Sequence, residues 1–187
     1  MIRKIFSAAL LAMMFFLAQN VSAAPDISYR VHVQDVGWKP PVGNGGIAGA
    51  IGEHRRLEAI VISCDGIEYN AHVQDWGWQG WTPSGNVAGT VGESLRMEAI
   101  RIRLRGRYAD SYDVRYRVYV KDSGWQGWVW NGEVAGTTGQ GLRLEAVQIE
   151  IVSKNSGRHN RDRYDRDRYD RDRYDRYRRD RYDDYDW

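Results

Sequence analysis

The chain has 187 residues, with 27 Lys and Arg against 25 Asp and Glu. Arg3 and Lys4 lie in an N-terminal segment, residues 1–23, that contains no acid, so the remainder holds 25 basic and 25 acidic residues. This balance argues against a protein that binds nucleic acid through its overall charge.

The N-terminus has the pattern of a secretory signal peptide. A basic segment, residues 1–4, precedes an apolar run over residues 6–17, and residues 21–23 fit a cleavage site. The run is shorter than the about 20 residues of a membrane-spanning helix, which disfavours the alternative of a retained membrane anchor. We expect residues 1–23 to be removed on export. The mature chain would then be extracellular, periplasmic or attached to the cell surface, with no transmembrane segment.

Three copies of one sequence unit follow. The first shared segment is YRVHVQDVGW at 29–38, YNAHVQDWGW at 69–78 and YRVYVKDSGW at 116–125. The second is RLEAI at 56–60, RMEAI at 96–100 and RLEAV at 143–147. The two segments are separated by the same number of residues in every copy, so the unit has no internal gap. We place the repeats at about 27–63, 67–103 and 114–152.

Each repeat has the alternation of a half-buried β-strand. Tyr29, Val31 and Val33 alternate with polar residues, and Ile60 and Ile62 lie on one face of a later strand. Glycine is frequent between these segments, which disfavours helices.

Asp65 and Gly66 are typical of a two-residue hairpin turn. Such a turn would pair the last strand of one repeat with the first strand of the next. Three pairs would then face one another: Cys64 with Ile67, Ile62 with Tyr69, and Ile60 with Ala71. Cys64 is the only cysteine and follows the apolar face of its strand. We therefore expect a buried thiol, with pairing to another chain as the alternative.

A repeat of this size is too small to bury a core alone, whereas three packed around an axis can do so. We predict one all-β domain with three-fold pseudo-symmetry over residues 26–153. A β-prism-like arrangement is the first choice and a β-trefoil-like arrangement the alternative. A linear solenoid is disfavoured because no polar capping repeat is visible.

The composition changes abruptly at the C-terminus. Residues 158–187 hold 11 Arg, 10 Asp and 6 Tyr in near repeats, and no aliphatic residue. Such a segment buries too little apolar surface to offset the entropy of ordering. We predict that residues 154–187 form a disordered tail of mixed charge, acting as a solvated spacer or through transient contacts of Arg and Tyr.

The repeated Gly-Trp pairs, the Ala-Gly segments and LRLEAV at 142–147 resemble the ChW repeats, clostridial hydrophobic repeats with a characteristic Trp. The resemblance covers about residues 27–152. Copies two and three match it most closely, through GWQGW at 77–81 and 124–128, whereas Pro41 stands in copy one where Trp81 and Trp128 stand. The resemblance implies an extracellular or surface role, in adhesion or polysaccharide binding, and no established activity.

An Asp-x-Gly-Trp element recurs in every copy. Sugar recognition needs a flat apolar face beside hydrogen-bonding groups, and Trp with a nearby Asp supplies both. The candidate ligand-binding residues are Asp75, Trp78, Trp81, Asp122, Trp125 and Trp128, with Asp35 and Trp38 as weaker candidates. The first tryptophans (Trp38, Trp78 and Trp125) occur in all copies, so we expect them in the core. The second tryptophans (Trp81 and Trp128) are the expected surface residues, with Trp76 and Trp130 nearby.

One acid in each repeat falls in phase with the apolar positions of its strand: Glu58, Glu98 and Glu145. An Arg lies two residues before each of them, at Arg56, Arg96 and Arg143. A carboxylate in a buried position must be paired or hydrogen-bonded. We predict that these Glu residues are structural.

No catalytic, cofactor-binding or metal-binding residue is predicted. His32 and His72 occupy equivalent positions, but Tyr119 takes the third, so a three-His metal site cannot form. No nucleophile elbow, zinc-binding helix or phosphate loop occurs. A carboxylate pair for glycoside hydrolysis is the catalytic alternative, because a separation in space is invisible in sequence.

Two functions fit these observations. The first is a secreted or surface-associated module that binds an extracellular polysaccharide or a cell-surface glycan, or mediates adhesion. The second is a non-catalytic structural or envelope-associated protein whose repeats serve only as scaffold. Exposure of the tryptophans distinguishes them, since a scaffold buries these side chains.

Overall fold

The computed structural model describes residues 23–154. The predicted signal peptide, residues 1–23, and the predicted tail, residues 154–187, lie outside this range except for Ala23 and Lys154. Within it, a single hydrophobic core extends from Ile27 to Ile151.

Every repeat folds into the same series: a long strand, three short strands and a second long strand. The first repeat forms β1 (Ser28–Val33), β2 (Gly37–Trp38), β3 (Val42–Gly43), β4 (Ile47–Gly49) and β5 (Leu57–Ser63). The second forms β6 (Ile67–Val73), β7 (Gly77–Trp78), β8 (Thr82–Pro83), β9 (Val87–Gly89) and β10 (Met97–Leu104). A short helix, α1 (Tyr108–Ser111), precedes the third. The third forms β11 (Tyr112–Val120), β12 (Gly124–Trp125), β13 (Val129–Trp130), β14 (Ala135–Gly136) and β15 (Leu144–Ser153).

The two long strands of each repeat pair with one another, antiparallel. Corresponding residues therefore face each other in the three sheets: Tyr29 with Ile62, Tyr69 with Ile102, and Tyr116 with Ile149. Cys64 and Ile67 meet across the predicted turn, but the predicted pairing of Ile62 with Tyr69 and of Ile60 with Ala71 is wrong. Alternation decides only which side chains face inward. Pairing β5 with β1 and pairing β5 with β6 place the same side chains inward, so alternation could not choose between the two.

Asp65 and Gly66 do form a turn, but it carries the chain from one sheet to the next. Ile67 N donates to Cys64 O at 3.3 Å, and Arg105 N donates to Gly66 O at 2.7 Å. The second bond ties the start of β6 directly to the end of β10.

The fourth strand of each repeat leaves its own sheet and pairs with another. β9 lies on β5, β14 lies on β10, and β4 lies on β15. We name the resulting five-stranded sheets by the repeat that supplies their long strands: sheet 1, sheet 2 and sheet 3. This cyclic exchange joins the first repeat to the last. It confirms a closed all-β arrangement of three antiparallel sheets, one for each repeat, and it favours the prism-like form.

The Ala-Gly segment recurs because the exchanged strand approaches its neighbour closely. Gly49, Gly89 and Gly136 have φ of 147°, 100° and 108°, where side chains are disfavoured. A Cβ at each would lie 2.3 Å from a carbonyl oxygen, that of Glu145, Glu58 or Glu98 respectively. The same three oxygens accept hydrogen bonds from the residues that follow the glycines, at 2.8–2.9 Å.

One tyrosine of each repeat is fully buried in the core. Tyr29, Tyr69 and Tyr116 are at most 1% exposed. The hydroxyl of Tyr29 accepts from Ile149 N at 3.0 Å, and that of Tyr69 accepts from Ile62 N at 3.1 Å. Each hydroxyl also donates to a carbonyl later in its own repeat, that of Gly46, Asn86 or Glu133. These bonds tie each repeat to the neighbouring sheet.

Burial dominates the ionisation of these tyrosines. It raises the pKa of Tyr29 and Tyr116 to about 12, and it raises the pKa of Tyr69.

The prediction that the first tryptophans fill the core is wrong, because they are only half-buried and lie outside the core cluster. The tyrosines occupy the interior because their hydroxyls reach partners there.

The recurrent acids are structural, as predicted. Glu58, Glu98 and Glu145 are 3–5% exposed. Each accepts from the Arg two residues earlier, with Nη2 to Oε1 distances of 2.7, 2.8 and 2.7 Å. The other carboxylate oxygen of Glu58 and of Glu98 faces a histidine Nδ1, that of His32 at 3.0 Å and that of His72 at 3.1 Å.

Cys64 is buried and makes no disulfide, in agreement with the expected buried thiol. Burial, with smaller contributions from the charges of Asp65 and Asp26, raises the pKa of this thiol to about 11. The thiolate, which is the reactive form, is therefore disfavoured at neutral pH.

Candidate functional site

The first tryptophans lie on the outer faces of the sheets. Each ends a two-residue strand and pairs in register with an outward residue of the long strand: Trp38 with His32, Trp78 with His72, and Trp125 with Tyr119. The paired rings meet edge to face, with centroids 5.4, 5.3 and 5.8 Å apart. Such packing orients each indole on the sheet surface.

A guanidinium covers each first tryptophan. Arg30 Cζ lies 5.0 Å from the ring centroid of Trp38, Arg101 Cζ lies 4.1 Å from that of Trp78, and Arg117 Cζ lies 4.7 Å from that of Trp125. These are cation–π distances, worth about 0.5–1 kcal/mol at exposed positions.

The second tryptophans carry a further arginine. Arg103 lies 3.8 Å from Trp81, and Arg115 lies 4.6 Å from Trp128. In the third repeat Arg117 is also 4.7 Å from Trp128, and Arg115 is 5.8 Å from Trp130. Three indoles and two guanidiniums therefore form one continuous array on the outer face of sheet 3.

The first repeat has neither the second tryptophan nor the arginine that covers it. Pro41 replaces the tryptophan, and Ser28 lies opposite Ser63 where the other repeats carry an ion pair. In sheet 2 the pair is Arg103 with Glu68 at 2.7 Å, and in sheet 3 it is Arg115 with Glu150 at 2.5 Å. The arginine comes from the last long strand in one sheet and from the first in the other. Arginine and second tryptophan are thus present together or absent together.

The glutamine between the two tryptophans holds the segment in place. Gly89 N donates to Gln79 Oε1 at 2.8 Å, and Gly136 N donates to Gln126 Oε1 at 2.7 Å. In the first repeat Lys39 takes this position and lies 3.8 Å from Glu53. In repeats two and three, the loop that carries the indoles is therefore hydrogen-bonded to the exchanged strand.

The recurrent aspartates occupy exposed turns that precede the first tryptophans. Asp35, Asp75 and Asp122 have φ of 59°, 62° and 63°, a left-handed conformation that Asp tolerates better than most residues. Asp35 pairs with Arg55 at 3.2 Å, and Asp122 lies 3.5 Å from Lys121. Turn geometry thus accounts for the recurrence of these residues, which remain available as acceptors at the edge of the face.

Sequence reasoning found the tryptophans of this face but missed its arginines. The missed residues are Arg30, Arg101, Arg103, Arg115 and Arg117. The signal was present in the alternation of arginine with buried residues along the long strands, which places every such arginine on the outer face. Trp130 belongs to the array of sheet 3, while Trp76 is 59% exposed in the turn before β7.

Other kinds of site are not apparent in the described part of the chain. Within residues 23–154 no group of three or more His, Cys, Asp or Glu is arranged to hold a metal ion. No helix in the same range is long and apolar enough to cross a membrane.

The family model described as clostridial hydrophobic W (ChW) matches residues 32–66, 72–106 and 119–153, more than half of the chain. The chain belongs to the ChW family. Each matched ChW segment begins at the outward residue that contacts the first tryptophan, His32, His72 or Tyr119. The three-copy resemblance is thereby confirmed. No curated protein and no solved structure matches this sequence significantly.

Membership in the ChW family is consistent with a module that binds or that serves as structure. The family is not known as catalytic, and the acids most deeply buried in the domain are held in arginine pairs.

Proposed function

We propose that this ChW protein is an exported, non-enzymatic binding module that recognises carbohydrate on a surface or in the extracellular space. Recognition would use the outer faces of sheets 2 and 3, through Trp78 and Trp81 and through Trp125 and Trp128. Asp75 and Asp122 would supply acceptors beside them. Asp35 and Trp38 in the first repeat form a smaller version of the same face.

One observation carries this proposal: Trp81 is a surface residue held in a defined orientation, while Trp128, also expected at the surface, is half-buried under Arg115. Trp81 is 36% exposed, Arg103 stacks on it at 3.8 Å, and the adjacent loop is bonded through Gln79. An indole fixed at the surface offers a sugar ring a flat apolar platform with little loss of side-chain entropy on binding.

Weak binding at each face fits the shape of the site. An open surface buries little of its ligand, so a dissociation constant on the order of 1 mM, about −4 kcal/mol, is expected for one face. Two faces on one rigid domain would gain by avidity on a polymer.

The competing function is a scaffold, and one observation favours it. Every first tryptophan is covered by a guanidinium and packed against His or Tyr, so these indoles already have partners within the domain. A domain that used its tryptophans only for stability would have the same arrangement.

Replacement of the second tryptophans separates the two functions. We expect Trp81→Ala combined with Trp128→Ala to abolish retention on a neutral polysaccharide in affinity electrophoresis. Unfolding free energy should fall by only about 1 kcal/mol for each cation–π interaction that the substitutions remove. Trp76→Ala is the matched control, because it removes a more exposed indole outside the array. Loss of the fold without any polysaccharide retention by the unaltered chain would support the scaffold instead.

A further inference from the structure

Each sheet carries one outer-face arginine that has no acidic partner. These unpaired arginines are Arg30, Arg101 and Arg117. Within residues 23–154 no Asp or Glu oxygen lies within 4.0 Å of their nitrogens, whereas Arg103 and Arg115 both pair with carboxylates. Arg117 Nε donates to the neutral amide oxygen of Gln148 at 2.9 Å. Arg101 Nε is buried and has no hydrogen-bond partner in the described part of the chain.

The strand register shows that this lack of acids recurs in all three repeats. The unpaired arginines lie opposite uncharged residues: Arg30 opposite Val61, Arg101 opposite Asn70, and Arg117 opposite Gln148. The other two outer-face arginines differ, because each lies opposite a glutamate: Arg103 opposite Glu68, and Arg115 opposite Glu150. Their charges are therefore neutralised, whereas the unpaired arginines leave one positive charge on every sheet.

Position and chemistry suit these charges to an anionic ligand. Each unpaired guanidinium stacks on a first tryptophan, which restricts its plane, and its terminal Nη groups donate to no atom of residues 23–154. A planar, oriented fork of donors matches the two oxygens of a carboxylate or sulfate. The guanidinium covers one face of the half-buried indole, so the part of the indole that stays exposed offers apolar surface to the ring that bears the anionic group.

We propose that Arg30 with Trp38, Arg101 with Trp78, and Arg117 with Trp125 are three similar sites, one on each sheet, for the acidic groups of an anionic polysaccharide. The inference rests on the proposed carbohydrate-binding function and names its ligand class. The domain presents the three sites on three sheets, so a polymer with many acidic groups can occupy more than one.

Dextran provides matched probes, since one sugar backbone is obtainable unmodified, carboxymethylated or sulfated. The full chain should bind the acidic forms at least about tenfold more tightly than dextran at low ionic strength. The advantage should shrink as salt screens the charges. A preference between the carboxymethylated and sulfated forms identifies which oxyanion the sites accept.

The decisive variant is Arg30→Gln, Arg101→Gln and Arg117→Gln together. An exposed ion pair contributes up to about fivefold, so loss of three sites should reduce binding to acidic dextran by about tenfold or more. The control is Arg105→Gln, Arg107→Gln and Lys154→Gln, which removes the same charge from residues that make no contact with the three sites. The control should lose less than about threefold. If the triple variant unfolds, Arg30→Gln alone, at an exposed position, should still reduce binding by a few fold.

Equal losses in the triple variant and its charge-matched control would overturn the inference, as would equal binding of acidic and neutral dextran. Neither result concerns the proposed function, which depends on whether Trp81 and Trp128 are needed for retention on a neutral polysaccharide.

Discussion

The first and third repeats have the same interior and different outer faces. Both place a tyrosine in the core, a glycine against a neighbouring carbonyl, and a glutamate in an arginine pair. On the outside, sheet 1 carries one tryptophan under one arginine, while sheet 3 carries three tryptophans interleaved with two arginines. Closure of the ring therefore keeps the buried tyrosine, the close-approach glycine and the paired glutamate in all three copies, and it leaves the outer faces free to diverge.

The largest effect should come from breaking a shared interior position at the junction between the first and third repeats. Gly49→Ala would place a Cβ 2.3 Å from Glu145 O and 2.5 Å from Ala146 Cα, both backbone atoms. We expect a loss of at least about 3 kcal/mol in unfolding free energy, from overpacking added to backbone strain. Urea denaturation followed by tryptophan fluorescence measures it.

Gly52→Ala is the control for this substitution. Gly52 has φ of 79° but open space around its Cβ position, so only strain of about 1 kcal/mol applies. Similar losses for the two variants would show that close approach of the exchanged strand does not matter.

High pH should also lower stability strongly, through the three buried tyrosines. Their pKa values are raised by burial, to about 12 for Tyr29 and Tyr116, above the value near 10 expected in the unfolded chain. Stability is therefore fully present below pH 10 and is lost as pH rises toward 12. Each tyrosine contributes a slope of about 1.4 kcal/mol per pH unit in that window.

Thermal melts between pH 8 and pH 12 test this expectation. The Tyr29→Phe variant should be less stable at pH 8, because Ile149 N and Gly46 O lose their buried partner, and its melting point should fall less steeply above pH 10. A melting temperature that does not change up to pH 12 in the unaltered chain would falsify the claim that burial of these tyrosine hydroxyls raises their pKa.

The smallest effect on stability should come from rebuilding the outer face of the first repeat. In sheet 2, Glu68 lies opposite Arg103, which stacks on Trp81. The same arrangement is copied into sheet 1 by the triple substitution Ser28→Glu, Ser63→Arg and Pro41→Trp. We expect a change within about 1 kcal/mol, since all three sites are exposed. Retention on a neutral polysaccharide should increase through a third face. Pro41→Trp alone, without its arginine, should increase retention less. Equal gains would show that the stacked guanidinium does not orient the indole.

Much of the domain was predictable because its signals are periodic. Three copies of one unit, alternation of side chains and frequent glycine specify three similar β units that cannot bury a core separately. The phase of Glu58 with its apolar neighbours was enough to predict a structural carboxylate with a partner, and the structure supplies Arg56 as that partner. Recurrence drew attention to the tryptophans, but it also led to the wrong assignment of the first tryptophans to the core.

Tertiary structure alone decided which strands are neighbours and which aromatic residues lie inside. Alternation specifies the inward set of side chains but is equally satisfied by β5 against β6 and by β5 against β1, so the Asp65-Gly66 turn was assigned the wrong partner strands. Tyr29 and Trp38 both recur in every copy. Only packing separates them, because the tyrosine hydroxyl accepts a hydrogen bond from Ile149 N of the neighbouring sheet, whereas the indole meets Arg30 on the surface. Residues that are far apart in sequence, such as Arg103 and Trp81, come together only when the sheet has formed. Such pairings depend on strand register, which no single segment of the chain encodes.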